Sequence, residues 1–149
     1  MTAERVVVAT DGSCLLNPGP GGWAWAAEDG RYGSGGHDGT TNNLMELRAV
    51  YEVLGAHPPE VPLLIQADSM YVINIFTRWI KGWAARGWKT AAKQPVSNRS
   101  AIEMIAERLE GRDVVWEHVK GHSGHPLNER VDTLARAQSE AILAARPKP

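Results

Sequence analysis

The chain has 149 residues, enough for one domain with a sizeable core, and its 43% apolar and 22% charged content excludes disordered and fibrous classes. A formal charge of -1 argues against a globally basic nucleic-acid binder, so any such signal must be local. The single cysteine, Cys14, excludes an intramolecular disulfide and reads as a small buried hydrophobe in a reducing compartment. No segment has the length of a membrane span or the pattern of a secretory leader, so a cytoplasmic location is the default expectation.

The first element is the β-branched run RVVVAT, a buried strand expected to stop at the turn signal DGS, which leaves Asp11 at its end. GGWAWAAE and GRYGSGGH read as an antiparallel hairpin turning at Asp29 and Gly30. From Asn43 the spacing of Leu47, Val50, Tyr51 and Leu54 predicts a helix that ends before Pro58. VPLLIQAD follows as a central strand, SMYVINIFTRWIKGWAARGW as one or two short helices, SAIEMIAERL as another helix and RDVVWEHV as a late strand. The last helix starts near Pro126, a favoured first-turn residue, and buries Leu127, Val131, Leu134, Ala135 and Ile142. The order β-β-β-α-β-α-β-α implies an α/β domain, a mixed sheet flanked by helices, over residues 1–144, with ARPKP (145–149) as a flexible C-terminal tail.

Four acidic residues fall at informative places on this scaffold. Asp11 and Asp68 end strands, Glu46 lies in the first turn of a helix and Asp132 within the last helix. Each has an ordinary explanation. Asp11 can begin a turn, Asp68 can cap a helix, Glu46 has capping-box spacing from Asn43, and Asp132 can pair with Arg136 one turn on. Together they say more. Parallel neighbouring strands bring their carboxyl ends to one sheet edge, where carboxylates that repel one another attract a hard cation, with magnesium or manganese favoured over zinc by all-oxygen ligands.

The blocks TDGSCLLNPGPGG, TTNNLMEL, ADSMYVIN, RWIKGWAARGWKT and VKGHSGHPLNERVDTLA occur in the order found in type 1 ribonucleases H, and the sequence resembles that family from residue 6 to residue 137. The resemblance implies a ribonuclease H-like fold with a five-stranded mixed β-sheet. It also implies an endoribonuclease that cuts the RNA strand of RNA/DNA hybrids and leaves 5'-phosphate and 3'-hydroxyl ends. Asp11, Glu46, Asp68 and Asp132 then become the ligands of two Mg2+ ions, for which Mn2+ can substitute, and Asp11 is the bridging ligand. His122 matches a family histidine that assists proton transfer or product departure. His125 reads as a helix cap, and Glu129, one turn before Asp132, as an aid to the second ion.

A second group of residues concerns the substrate. Between Arg78 and Lys93 lie five basic residues and no acid, a local charge of +5 that leaves -6 for the rest of the chain. Trp79, Trp83 and Trp88 alternate there with Lys81, Arg86 and Lys89, a composition that can track a phosphate backbone while aromatic faces pack on sugars or bases. The plain alternative is a helix pair with core tryptophans, and at least one tryptophan is expected to pack inward. The resemblance makes this segment the basic protrusion and gives Trp79 to the DNA strand. It further implies that Asn17, Asn42 and Asn43 address 2'-hydroxyls across the minor groove and that Thr41 and Asn98 receive a DNA phosphate. Gly39 and Leu44 stand where relatives often carry arginine, which implies fewer phosphate contacts.

Two other classes compete with this reading. A non-catalytic hybrid-binding module would not need four carboxylates on one edge, and another ribonuclease H-like superfamily nuclease would lack TTNN and the protrusion. No dimer interface is legible, so a monomer is expected.

Overall fold

The computed structural model describes residues 4–121 and 124–147. Five strands, β1 (Val6–Cys14), β2 (Gly19–Ala27), β3 (Tyr32–Thr40), β4 (Leu63–Ala67) and β5 (Val114–His118), form one sheet in the order β3-β2-β1-β4-β5. The hairpin pairs β1-β2 and β2-β3 are antiparallel, whereas β1-β4 and β4-β5 are parallel, so the sheet is mixed as expected. The helices are α1 (Asn42–Gly55), α2 (Met70–Asn74), α3 (Ile80–Ala85), α4 (Arg99–Leu109) and α5 (Pro126–Ala144), with a π-helical turn, Ile75–Trp79, joining α2 to α3. Among the described residues no helix is long and apolar enough to cross a membrane.

Strand alternation divides the core between the two faces of the sheet. Val8, Trp25 and Ile65 point to one face, where Leu47, Val50 and Leu54 of α1 and Ile102 and Ile105 of α4 cover them. Ala9, Ala24 and Ala26 point to the other, against Val131 and Ala135 of α5. Small residues let α5 lie close to the sheet. A Cβ added at Gly22 would fall 2.1 Å from the Ala135 carbonyl oxygen.

Several sequence expectations shift here. β1 does not stop at Thr10: Gly12, Ser13 and Cys14 continue antiparallel to Trp23, Gly22 and Gly21, while the parallel pairing with β4 ends at Thr10 and Ala67. Asp11 therefore sits where β1 parts from β4, and it begins no turn. β4 is interior, but β1 is the central strand. Helix α1 starts at Asn42 with Thr41 as its cap, the Thr41 hydroxyl accepting from Leu44 N at 3.2 Å. The third helical residue is thus Leu44, so Glu46 lies beyond the first turn and forms no capping box. Within the tail that begins at Ala145, the Arg146 guanidinium holds Asp38 of edge strand β3, with Nε 3.0 Å from a carboxylate oxygen.

Candidate active site

Alternation along β1 sends Val8 to the α1 face and Ala9 to the α5 face, so Asp11 points toward α5 at the sheet's carboxyl edge. Asp68 follows Ala67, the last paired residue of β4, which makes the two aspartates the next pair in register after Thr10 and Ala67. Glu46 arrives from above. A Cβ on Gly12 would meet Glu46 N at 2.3 Å, so only glycine lets α1 descend this far onto β1. Asp11, Glu46, Asp68 and Ser69 line one shallow cleft with Thr10, Ala67 and Val72. The structure thus brings three of the four acids to a common opening, and Asp132 on α5 lies near enough to act on Asp11 through its charge.

Burial pushes the Asp11 carboxyl up to about 8, helped by the charges of Asp68 and Asp132 and opposed by its bond from Gly12 N at 2.9 Å. Glu46 is also raised, first by burial and then by Asp68, against the lowering effect of bonds from Ser69 and Asn42. Its two oxygens are taken separately: Ser69 Oγ donates to Oε2 at 2.6 Å and Asn42 Nδ2 donates to Oε1 at 2.9 Å. Asp132 accepts from Arg136 Nη2 at 2.8 Å, the helix-face ion pair expected of it. As these side chains are turned, no group of three His, Cys, Asp or Glu among the described residues is arranged to hold a metal ion. The donor set is nevertheless oxygen only and crowded with negative charge, which fits a hard divalent cation and not a thiol- or imidazole-seeking one.

His122 lies outside the described residues. Gly121 lies against the site, since a Cβ added there would fall 3.2 Å from Asp68 Oδ2. His125 takes the cap position of α5 without a side-chain capping bond, and Glu129 is exposed in the first turn. Two residues that the sequence reading did not single out also touch the site. His118, at the end of β5, has Nε2 3.2 Å from the Asp68 carbonyl oxygen. Ser69 holds Glu46, and its place directly after Asp68 was the only signal available.

The residues proposed for substrate form three groups. Asn17 Oδ1 accepts from Asn42 N at 3.0 Å, tying the loop after β1 to the start of α1, beside the exposed Asn43. Thr41 is occupied as the α1 cap, whereas Asn98 Nδ2 donates to the Tyr71 hydroxyl at 3.1 Å, and no hydrogen bond joins Thr41 to Asn98. The tryptophans form a chain, Trp79 to Trp83 at 5.8 Å and Trp83 to Trp88 at 6.4 Å between ring centroids. Trp83 and Trp88 pack against the core while Trp79 stays 41% exposed, which divides them between the two roles weighed above. Lys81, Arg86 and Lys89 are exposed. A concavity of about 270 Å³ lies elsewhere, between α1, the end of β3 and α4; its lining is mostly apolar and includes none of the four acids.

Comparison with known proteins places this geometry in a family. The sequence matches the RNase H family over residues 3–140. It is 47% identical to Ribonuclease H of Chromobacterium violaceum over 145 residues, covering 95% of this chain and 99% of that one. It is likewise 47% identical to Ribonuclease H of Tropheryma whipplei (strain Twist), covering 91% and 85%, and 43% identical to Ribonuclease HI of Caulobacter vibrioides, covering 97% of each. The fold is similar to that of LC9-RNase H1, described as a type 1 RNase H with the type 2 active-site motif, with TM-score 0.83 and 29% identity over 95% of this chain and 75% of that one. The chain therefore belongs to the ribonuclease H family and is an enzyme, a hydrolase of that family.

Proposed function

We propose that this protein hydrolyses the RNA strand of an RNA/DNA hybrid with two divalent ions, Mg2+ or in its place Mn2+, and leaves 5'-phosphate and 3'-hydroxyl ends. The observation that carries the proposal is the convergence of Asp11, Glu46 and Asp68 in one cleft at the sheet edge, with Asp132 acting on Asp11 from α5. Such ions supply charge neutralisation at the scissile phosphate, activation of the attacking water and stabilisation of the departing 3'-oxygen. The chain contributes the rest. Asp11, the most buried of the four acids, would be the ligand common to the ions, with Glu46 and Asp68 in the same cleft and Asp132 acting on it from α5. Exposed Trp79 with Lys81, Arg86 and Lys89 supplies an aromatic and cationic track for the DNA strand, while Asn17, Asn42 and Asn43 address ribose and Thr41 and Asn98 a DNA phosphate. His122 is assigned proton transfer or product release on family resemblance alone. One chain carries all four carboxylates, so the site needs no second copy, and a lone cysteine accords with a cytoplasmic setting.

The test uses neutral isosteres. Asp11→Asn and Asp68→Asn are expected to abolish cleavage of a labelled hybrid in Mg2+ while leaving hybrid binding largely intact. Full turnover by Asp11→Asn would remove the two-metal assignment.

A further inference from the structure

Glu46 is held at both oxygens of its carboxylate. Each oxygen accepts one hydrogen bond, from Ser69 Oγ at 2.6 Å, in the residue between β4 and α2, and from Asn42 Nδ2 at 2.9 Å, one turn earlier on the same helix α1. Two bonds on opposite oxygens fix both the direction of the side chain and the rotation of the carboxylate plane. Both donors are neutral. A lysine or arginine in their place would also fix Glu46, but it would cancel the charge that draws a cation. Asp132, by contrast, takes the Arg136 guanidinium, a cation that competes directly.

Ser69 has no other structural duty that explains it. It occupies the cap position of α2, yet its side chain makes no capping bond, because the hydroxyl is turned to Glu46. Asn42 is in turn fixed by its backbone N–H, which donates to Asn17 Oδ1 at 3.0 Å. A continuous series of hydrogen bonds therefore runs from the loop after β1 through Asn42 to Glu46 and Ser69, beside Asp68. With one Nδ2 hydrogen given to Glu46, Asn42 keeps its second N–H and its amide carbonyl for a ribose hydroxyl.

We propose that Ser69 and Asn42 are positioning residues, a pair of neutral donors that hold the Glu46 carboxylate turned for divalent-cation binding without neutralising it, and that Asn42 links this alignment to ribose recognition. The inference rests on the two-metal reading of the site and adds to it the groups that orient one ligand.

The experiment is a calorimetric titration of Mn2+ into hybrid-free protein, with cleavage kinetics in Mg2+ measured alongside. Ser69→Ala is expected to weaken cation affinity about tenfold, the equivalent of one hydrogen bond to a charged group, and to lower kcat with little change in KM for hybrid. Ser69→Thr keeps a hydroxyl and should restore most of both. Asn42→Ala should weaken cation affinity similarly and raise KM as well. Because the serine makes no capping bond, its loss should leave the melting temperature nearly unchanged, and a high Mg2+ concentration should recover kcat in Ser69→Ala. Unchanged Mn2+ affinity in both alanine variants overturns the proposal, as does a Ser69→Thr protein no better than Ser69→Ala. Asp11→Asn, run in parallel, separates the two claims. If it still binds Mn2+ and cleaves, the two-metal reading fails; if it does neither while Ser69→Ala and Asn42→Ala match the parent, only the positioning role fails.

Discussion

At the scale of single residues, the site keeps an acid where burial and neighbouring carboxylates disfavour its charge. Asp11 is pushed up to about 8 from 3.8 by burial and then by Asp68 and Asp132, so in the metal-free protein it retains its proton through neutral pH. The unfolded chain releases that proton near pH 4. Between these values the folded state binds more protons than the unfolded one, and stability must fall as pH rises, by at most about 1.4 kcal/mol per unit from this group. Asp11→Asn removes the term. Thermal melts in a chelator from pH 4 to pH 9 are expected to show the variant gaining on the parent as pH rises, with the gain levelling above about 8; parallel profiles would mean that Asp11 is not under this strain. The four acids were legible in the sequence because they sit at the ends of apolar runs or on a helix face. Ser69 and His118 were not. Neither belongs to a hydrophobic period or a charge cluster, and each matters only through a contact made after β4, β5 and α1 have been brought together.

At the scale of elements, the main misreading was the end of β1. Asp-Gly-Ser carries turn chemistry, and the apolar run does stop at Thr10. The strand continues because β2 offers Gly21, Gly22 and Trp23 as antiparallel partners, a tertiary pairing that local propensity does not encode. The segment after Asp68 was legible as helical, but the widened turn at Ile75–Trp79 was not. Its Thr77 hydroxyl donates to the Ile73 carbonyl at 2.6 Å, and the turn buries Ile75 while leaving Trp79 outward. That outward face, with α3 and the basic loop after it, is where phosphate contacts are expected. Replacing Lys81, Arg86 and Lys89 together by Ala should weaken hybrid affinity and flatten its salt dependence by up to about 0.9 log-unit of slope per lost phosphate contact, with a smaller effect on turnover at saturation. Affinity measured across a range of salt concentrations decides this, and an unchanged slope would make the segment a solvated face.

For the whole molecule, the fold joins four separate pieces of chain at one sheet edge: β1 carrying Asp11, α1 carrying Glu46, the end of β4 followed by Asp68, and α5 carrying Asp132. The mixed topology does this. The parallel pairing of β1 with β4 ends at Thr10 and Ala67, just before the two aspartates, and small residues on β2 let α5 come close enough for Asp132 to influence Asp11. If this edge directs water at the phosphate, the 2'-hydroxyl is a recognition group and not the nucleophile. The most direct measurement is mass spectrometry of the products of hybrid cleavage in Mg2+ and 18O-labelled water. The expected result is a 5'-phosphate carrying the label opposite a 3'-hydroxyl. A 2',3'-cyclic phosphate with an unlabelled 5'-hydroxyl would show that the ribose itself attacks, and would contradict the account.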